Sequence, residues 1–371
     1  MQNKWTRRMV IGALFGGGLG AGGYGFCHSA RFGNLPEGED LARISQSVHC
    51  VDGVFYNTQV TPLMVGKQSI VRGWMDFFFN DQPRLRPEVP LPTMKISLLN
   101  IDRTRDCVVW FGHSSFYLQL AGKRILLDPV LSSYAAPVPF VVRSFAGTDS
   151  YSPSDMPDID LLLLSHDHWD HLDYPTLVAL EPRIKAVVCG LGVGSHLKRF
   201  GFAKEKIYEG DWGDRLIFEA IQVIVTESRH FSGRLFTRDH TLWNGFVIQT
   251  EQRRVYFSGD GGYGAHFVRI GNEYGPMDLA LLDMGQYNDR WPYVHMNPEE
   301  AAKAAADVGA GALMPTHVGR FCISRHPWDE PFIRIAKAAT RYQWKLLTPI
   351  IGQSVFLDED MRFTAWWKNM V

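Results

Sequence analysis

Cysteine is scarce in this chain. Cys27, Cys50, Cys107, Cys189 and Cys322 are scattered over 371 residues with no C-x-x-C pair, which argues against a zinc finger or a disulfide framework. They read as core or surface thiols, with a bridge from Cys27 or Cys50 left open only if the chain is exported. Charge of one sign is lacking too. With 38 Lys and Arg against 39 Asp and Glu, the formal net charge is −1, so no field gathers a polyanion and nucleic acid is not the expected partner. Repeats at the periods of solenoids or propellers are absent as well. What is present is apolar: 46% hydrophobic residues against 21% charged allow a large core and exclude wholesale disorder. One catalytic domain with an N-terminal appendage is the expected organisation.

The first thirty residues look like an address. Lys4, Arg7 and Arg8 precede an uncharged, glycine-rich apolar run from Met9 to Phe26, the layout of a signal peptide or membrane anchor. Thr6-Arg7-Arg8-Met9-Val10-Ile11 loosely resembles the twin-arginine export signal. Cleavage after Ser29 or Ala30 and an uncleaved anchor both stay open, as does a disordered tail. With positive charge held inside, the bulk of the chain is expected in the periplasm of a bacterial cell or anchored facing it; the alternative is the cytoplasmic face of the membrane.

Residues 31–106 carry Pro83, Pro87, Pro90 and Pro92 and an aromatic, helix-like piece from Ser69 to Phe79, and predict an extension wrapping the core. Residues 107–371 are the expected catalytic domain. A hairpin over Val108–Phe111, Ser115–Leu120 and Arg124–Asp128 opens it. A strand at Asp160–Leu164, a helix at Pro175–Leu180, a strand at Ala186–Cys189, a helix at Gly194–Phe200 and strands between Leu216 and Ser258 follow. Asn297-Pro298-Glu299-Glu300 is a capping pattern for a helix to Val308. Sheets inside with helices outside give an α/β fold, an αβ/βα sandwich.

The chemistry concentrates where the apolar run Leu161–Leu164 meets Ser165-His166-Asp167-His168-Trp169-Asp170-His171, an H-x-H-x-D-H pattern. Alternation puts His166 and His168 on one side to grip one metal, and after the bend Asp170 and His171 can face a second. Imidazole with carboxylate suits two zinc ions, with manganese or iron as alternatives. His230, Asp260 and His317 also follow strand-like runs and complete the candidate ligands. Small neighbours in Gly259-Asp260-Gly261-Gly262 let that carboxylate approach two cations.

In order over residues 107–357 the chain resembles the metallo-β-lactamase superfamily, which implies its αβ/βα fold. Val109–Phe116, Leu127–Val130, Ser258–Tyr263, Tyr287–Trp291, His295–Ala301 and Pro315–Phe321 resemble, within it, the N-acyl-phosphatidylethanolamine-hydrolysing phospholipase D family. The signature is shared more loosely by bacterial L-ascorbate-6-phosphate lactonase-like proteins. The resemblance implies a first zinc on His166, His168 and His230, a second on Asp170, His171 and His317, and Asp260 bridging. Residues 32–91 match only faintly, through Tyr56-Asn57 and Ser69–Phe79, and the mammalian enzymes have no N-terminus of this kind. Asp260 where antibiotic-degrading lactamases place another ligand, and His168 where di-iron oxygen reductases place glutamate, point away from both.

Such a pair of zinc ions would hold a hydroxide between them, since metals lower the pKa of bound water to near 7. Asp170 and His295 are the catalytic candidates. His295 is expected to touch substrate or give a proton, against the alternative of a capping or surface histidine; Tyr263 is the second candidate substrate contact. His113 and Asp128 are expected to orient ligands by hydrogen bonds, or else to be structural. The leading expectation is a phosphodiesterase that meets a membrane surface and cleaves a membrane phospholipid. Trp74, Phe77, Phe78 and Phe79 with Tyr134–Phe140 would form an acyl groove or else belong to the core. A lactonase or small phosphoester hydrolase, and a binding protein that keeps metal for structure, are the alternatives; a homodimer stays open.

Overall fold

A computed structural model describes residues 25–66, 83–234 and 237–370. The extension begins with helix α1 (Glu39–Ile44) and the small hairpin β1 (Cys50–Val51) and β2 (Val54–Phe55). The first large sheet is built from β3 (Cys107–Trp110), β4 (Phe116–Leu120), β5 (Lys123–Leu127), β6 (Ile159–Leu164), β7 (Ile184–Gly190) and β8 (Ile207–Gly210), with α2 (Tyr174–Leu180) following β6 and α3 (Val193–Arg199) following β7. The second holds β9 (Arg215–Phe218), β10 (Ile221–Glu227), β11 (Asn244–Gln249), β12 (Arg254–Phe257), β13 (Met277–Asp283), β14 (Ala310–Thr316) and β15 (Lys345–Leu346). Helices α4 (His266–Tyr274), α5 (Pro298–Asp307) and α6 (Glu330–Ala339) belong to this half, and β16 (Ser354–Phe356) returns to the first sheet.

The strand orders are β16-β3-β4-β5-β6-β7-β8 and β15-β14-β13-β12-β11-β10-β9. Each sheet changes from antiparallel to parallel pairing at its centre: β5 to β8 run parallel in one, β12 to β15 in the other. Parallel strands buried on both faces read as continuous apolar runs, and β6 shows why. Its Leu161 and Leu163 pack with Phe246 and Phe257 of the opposite sheet, whereas Leu162 and Leu164 pack under Leu177 of α2 and Leu197 of α3. The result is the expected α/β sandwich with helices outside.

Helix α5 matches its sequence signature: Asn297 accepts hydrogen bonds from the Glu299 and Glu300 amides, and the Glu300 carboxylate accepts from the Asn297 amide. Helices α2 and α3 start within one residue of the expected positions, whereas α1, α4 and α6 had no counterpart in the sequence reading.

The extension joins the core at several points. Leu91 packs in the large central cluster, Leu98 and Ile101 in the cluster under α2 and α3, and Ile44, Cys50 and Phe55 against Leu191, Leu242 and Trp243. Thr93 pairs with Ile351. Cys27 and Cys50, open as a bridge on sequence, are both free thiols, as are Cys107, Cys189 and Cys322. The expected helix over 69–79 with Trp74, Phe77, Phe78 and Phe79, and all but the end of the apolar N-terminal run, lie outside the described residues. Among the described residues no helix is long and apolar enough to cross a membrane.

Candidate metal centre

Candidate ligands converge from strand ends of both sheets at one seam. The loop after β6 supplies His166, His168, Asp170 and His171; the segment after β10 supplies His230; Asp260 follows β12 and His317 follows β14. Carboxyl ends of parallel strands are where open α/β sheets present functional groups. The seam is tied by backbone: the His113 amide donates to the Val318 carbonyl at 2.8 Å and the His317 amide to the His113 carbonyl at 3.2 Å. Conformation is spent here. His113, Asp128 and His317 have φ of 55°, 37° and 62°, a region costing non-glycine residues about 1–3 kcal/mol each. Gly285 is needed beside them, because a Cβ there would come within 1.9 Å of the His317 carbonyl oxygen.

Two groups of ligand atoms result. In the first, His168 Nδ1 lies 2.7 Å from His166 Nε2 and 3.3 Å from His230 Nε2. In the second, Asp170, His171 and His317 cluster with His113 so that their ligand atoms lie within 4.8 Å of one another. Asp260 stands between the groups: its Oδ2 is 2.9 Å from His171 Nε2, 3.9 Å from His166 Nε2 and 4.0 Å from His230 Nε2, and its Oδ1 is 3.2 Å from His317 Nδ1. His171 Nε2 and Asp260 Oδ1 are buried without a hydrogen-bond partner. Orphaned lone pairs aimed into a shared space are costly unless a cation takes them, so these residues fit a bound metal pair.

The electrostatics agree. Burial, then the neighbouring imidazoles, hold His166 well below its ordinary pKa, and burial does the same to His230 and His317. Burial also takes His168 down to about 4 against the pull of Asp167 and Asp170. Neutral imidazole is the ligating form. His171 goes the other way: burial opposes its charge, yet Asp260 and Asp170 raise it. Burial pushes Asp260 up to about 7, a penalty that a facing cation would remove.

Around the groups stand residues that aim them. Asp128 Oδ2 lies 2.7 Å from His171 Nδ1, and its Oδ1 accepts from the Ser165 amide at 2.8 Å. His113 Nε2 lies 2.8 Å from Asp170 Oδ2. The His230 Nδ1–H donates to the Val294 carbonyl at 2.8 Å, which leaves Nε2 toward the group. His295 stacks on His317 with ring centroids 4.8 Å apart and planes 10° from parallel. Its Nδ1 lies 2.9 Å from Asp283 Oδ2, and one of its nitrogens falls within 4.8 Å of ligand atoms on His230 and Asp260. Burial disfavours an imidazolium there, yet Asp283 together with Asp260 and Asp170 raises His295.

Tyr263 needs correction. Its hydroxyl donates to Asp307 at the end of α5, its ring stacks on Phe267, and Lys303 lies 4.5 Å over it. The structure gives this side chain to the helical layer and not to the histidine cluster. Asp283 was missed, although its signal was visible: like Asp260 and His317, it closes an apolar strand, Leu279–Leu282. Buried Asp167 was passed over as a spacer. Its carboxylate meets His196 Nε2 at 3.2 Å and the Gly233 amide at 2.6 Å, fixing the back of the ligand loop.

Comparison with known proteins gives a family and a fold. Residues 123–318 match the family described as the beta-lactamase superfamily domain. An uncharacterized protein of Mycobacterium bovis is 37% identical over 339 residues, covering 89% of this chain and 91% of its own length. N-acyl-phosphatidylethanolamine-hydrolyzing phospholipase D 1 of Caenorhabditis elegans is 33% identical over 231 residues, 57% of this chain and 63% of that protein. Among solved structures, a metallo hydrolase from the archaeon Ignicoccus hospitalis superposes with a TM-score of 0.52 at 21% identity, covering 70% of this chain and 99% of that one, a likeness of fold.

Proposed function

The chain belongs to the beta-lactamase superfamily and is a metal-dependent hydrolase, and from that premise we propose that it is a zinc-dependent phosphodiesterase of the phospholipase D type. Its substrate is N-acyl-phosphatidylethanolamine or a related membrane lipid. The observation that carries the reading is His295, an imidazole held by the buried Asp283 carboxylate at 2.9 Å and set beside both ligand groups. Hydrolysis of a phosphodiester expels an alkoxide, which needs a proton; carboxylate-held histidine is a suitable donor. The named activity of the nematode relative supports the same substrate class.

His166, His168 and His230 would hold one zinc, Asp170, His171 and His317 the other, with Asp260 facing both; the mixed imidazole and carboxylate set suits zinc. When bound, such a pair polarises a phosphoryl oxygen and lowers the pKa of water. The protein's own residues do the rest. Asp128 and His113 hold His171 and Asp170 in place. His295 gives its proton to the leaving oxygen as the bond from phosphorus to that oxygen breaks and one from phosphorus to a water oxygen forms. The products are phosphatidic acid and N-acylethanolamine. The Tyr134–Phe140 segment, expected to contribute to an acyl groove, carries Phe140, which is 76% exposed and borders a depression of about 630 Å³ lined also by Arg86, Arg143, Phe145 and Asp149. An exposed aromatic beside cationic groups suits an amphipathic, anionic substrate.

Water labelled with heavy oxygen tests the reaction. Label is expected in phosphatidic acid; label in a fatty acid or an opened lactone would show carbonyl attack and move the enzyme to the lactonase or esterase class.

A further inference from the structure

The N-terminal extension reaches the metal centre at one side chain. Asn57 lies 173 positions before His230, and its Nδ2 donates to the His230 carbonyl at 2.7 Å. Its Oδ1 accepts from the His230 amide at 3.1 Å and from Trp243 Nε1 at 3.3 Å. One primary amide thus serves both backbone groups of the ligand residue, as a neighbouring strand would. A surrogate is needed because pairing of β10 with β11 stops at Glu227 and Asn244, while His230 is buried and its backbone groups require partners. With the imidazole tethered at Val294, the residue is held at three points and Nε2 has one direction to face.

The hold continues along the extension. The Thr58 hydroxyl donates to Glu227; Arg229 donates to the Val60 carbonyl at 2.8 Å and to Thr61 Oγ1 at 3.0 Å. The Val65 amide donates to the Arg290 carbonyl at 2.7 Å. Residues 57–65 are therefore stitched to the segment that carries His230 and to the loop that leads into His295.

We propose that Asn57 is a positioning residue for the group His166, His168 and His230, so that the ligating competence of the first metal site depends on the N-terminal extension. The proposal rests on reading those three histidines as a metal group. Removing such an outer partner weakens metal binding by roughly 10- to 100-fold.

The test uses the full chain with cobalt as probe, read by chelator competition and by the visible absorption of the bound ion, with near-UV circular dichroism to report folding. The wild-type protein comes first: if it takes up fewer than two ions, the metal reading itself fails, whatever Asn57 does. Asn57→Asp keeps the shape but replaces the donor with an oxygen facing the His230 carbonyl. It is expected to weaken one of the two ions roughly 10- to 100-fold and to shift its absorption. Trp243→Phe removes a donor shared between Asn57 Oδ1 and the Ser228 carbonyl and is expected to act in the same direction, less strongly. Ser45→Ala, an exposed position whose hydroxyl donates to the Leu41 carbonyl within α1, is expected to leave both ions unchanged. A folded Asn57→Asp protein with wild-type affinity and spectrum overturns the proposal, and so does Ser45→Ala losing as much as Asn57→Asp. If Asn57→Asp does not fold, Trp243→Phe decides: wild-type binding and spectrum there overturn it.

Discussion

The two ligand groups differ in charge and in how they are held. The first is three imidazoles, with the Asp260 oxygen 3.9 and 4.0 Å from two of them, and it is braced through backbone carbonyls and Asn57. The second contains Asp170 and the closer approach of Asp260 to His171, with Asp128 behind His171 at 2.7 Å. Burial keeps His166 and His230 neutral, whereas carboxylates draw His171 toward its charged form. One group thus offers direction without charge, the other offers charge. A divalent cation gains more from the second, so a chelator is expected to empty the all-histidine group first.

The largest effect should come from removing what the groups share. Asp260→Asn is expected to lower metal content from about two ions per chain to below about one, whereas His317→Ala should release mainly the second-group ion. Elemental analysis after metal supplementation separates these outcomes; equal retention in the two variants would erase the distinction. Next comes a change that spares both groups. His295→Ala should cut turnover by roughly 10²- to 10⁴-fold with metal content unchanged, and metal loss in that variant would make His295 a ligand instead. Asp128→Asn sharpens the comparison further. It should weaken the second-group ion by roughly 10- to 100-fold and the first less, through Ser165 Oγ, which donates to Asp128 and lies 2.9 Å from His166 Nδ1; chelator titration beside Asn57→Asp checks it.

The smallest effect concerns a histidine outside both groups. His266 on α4 is buried, and burial takes its pKa down to about 3. Its neutral form belongs to the folded state, so its stabilising effect is complete above the unfolded pKa near 6.5 and is lost as pH falls toward about 3. His266→Leu should flatten the fall in stability over that window, measured by denaturant unfolding. An unchanged slope would assign the acid sensitivity to the clustered histidines.

How much of this was legible beforehand follows from how far apart in the chain the interacting groups lie. The H-x-H-x-D-H run shows its chemistry because His166, His168, Asp170 and His171 share one loop, and the apolar strand before it sets their direction. His230, Asp260 and His317 were legible as polar residues closing apolar strands. Asp283 obeys the same rule, yet its partner His295 lies on a loop whose path the sequence does not state. His113 meets Asp170 across 57 positions and Asn57 meets His230 across 173, contacts that exist only once the sheets have stacked. Tyr263 misled for the converse reason: its neighbour Gly262 belongs to the seam, but the ring turns away to Phe267 and Asp307. The boundaries of α2, α3 and α5 came within a residue or two because caps and prolines are local, while α1, α4 and α6 went unread.

The placement of the seam has a mechanical consequence. Four candidate ligands hang from β6 in one sheet and three from β10, β12 and β14 in the other, so cations held there would act as rivets across the sandwich. Folding and metal supply are then coupled: each tenfold rise in free metal above its dissociation constant adds about 1.4 kcal/mol to the folded state. The melting temperature of the protein becomes a gauge of the metal around it.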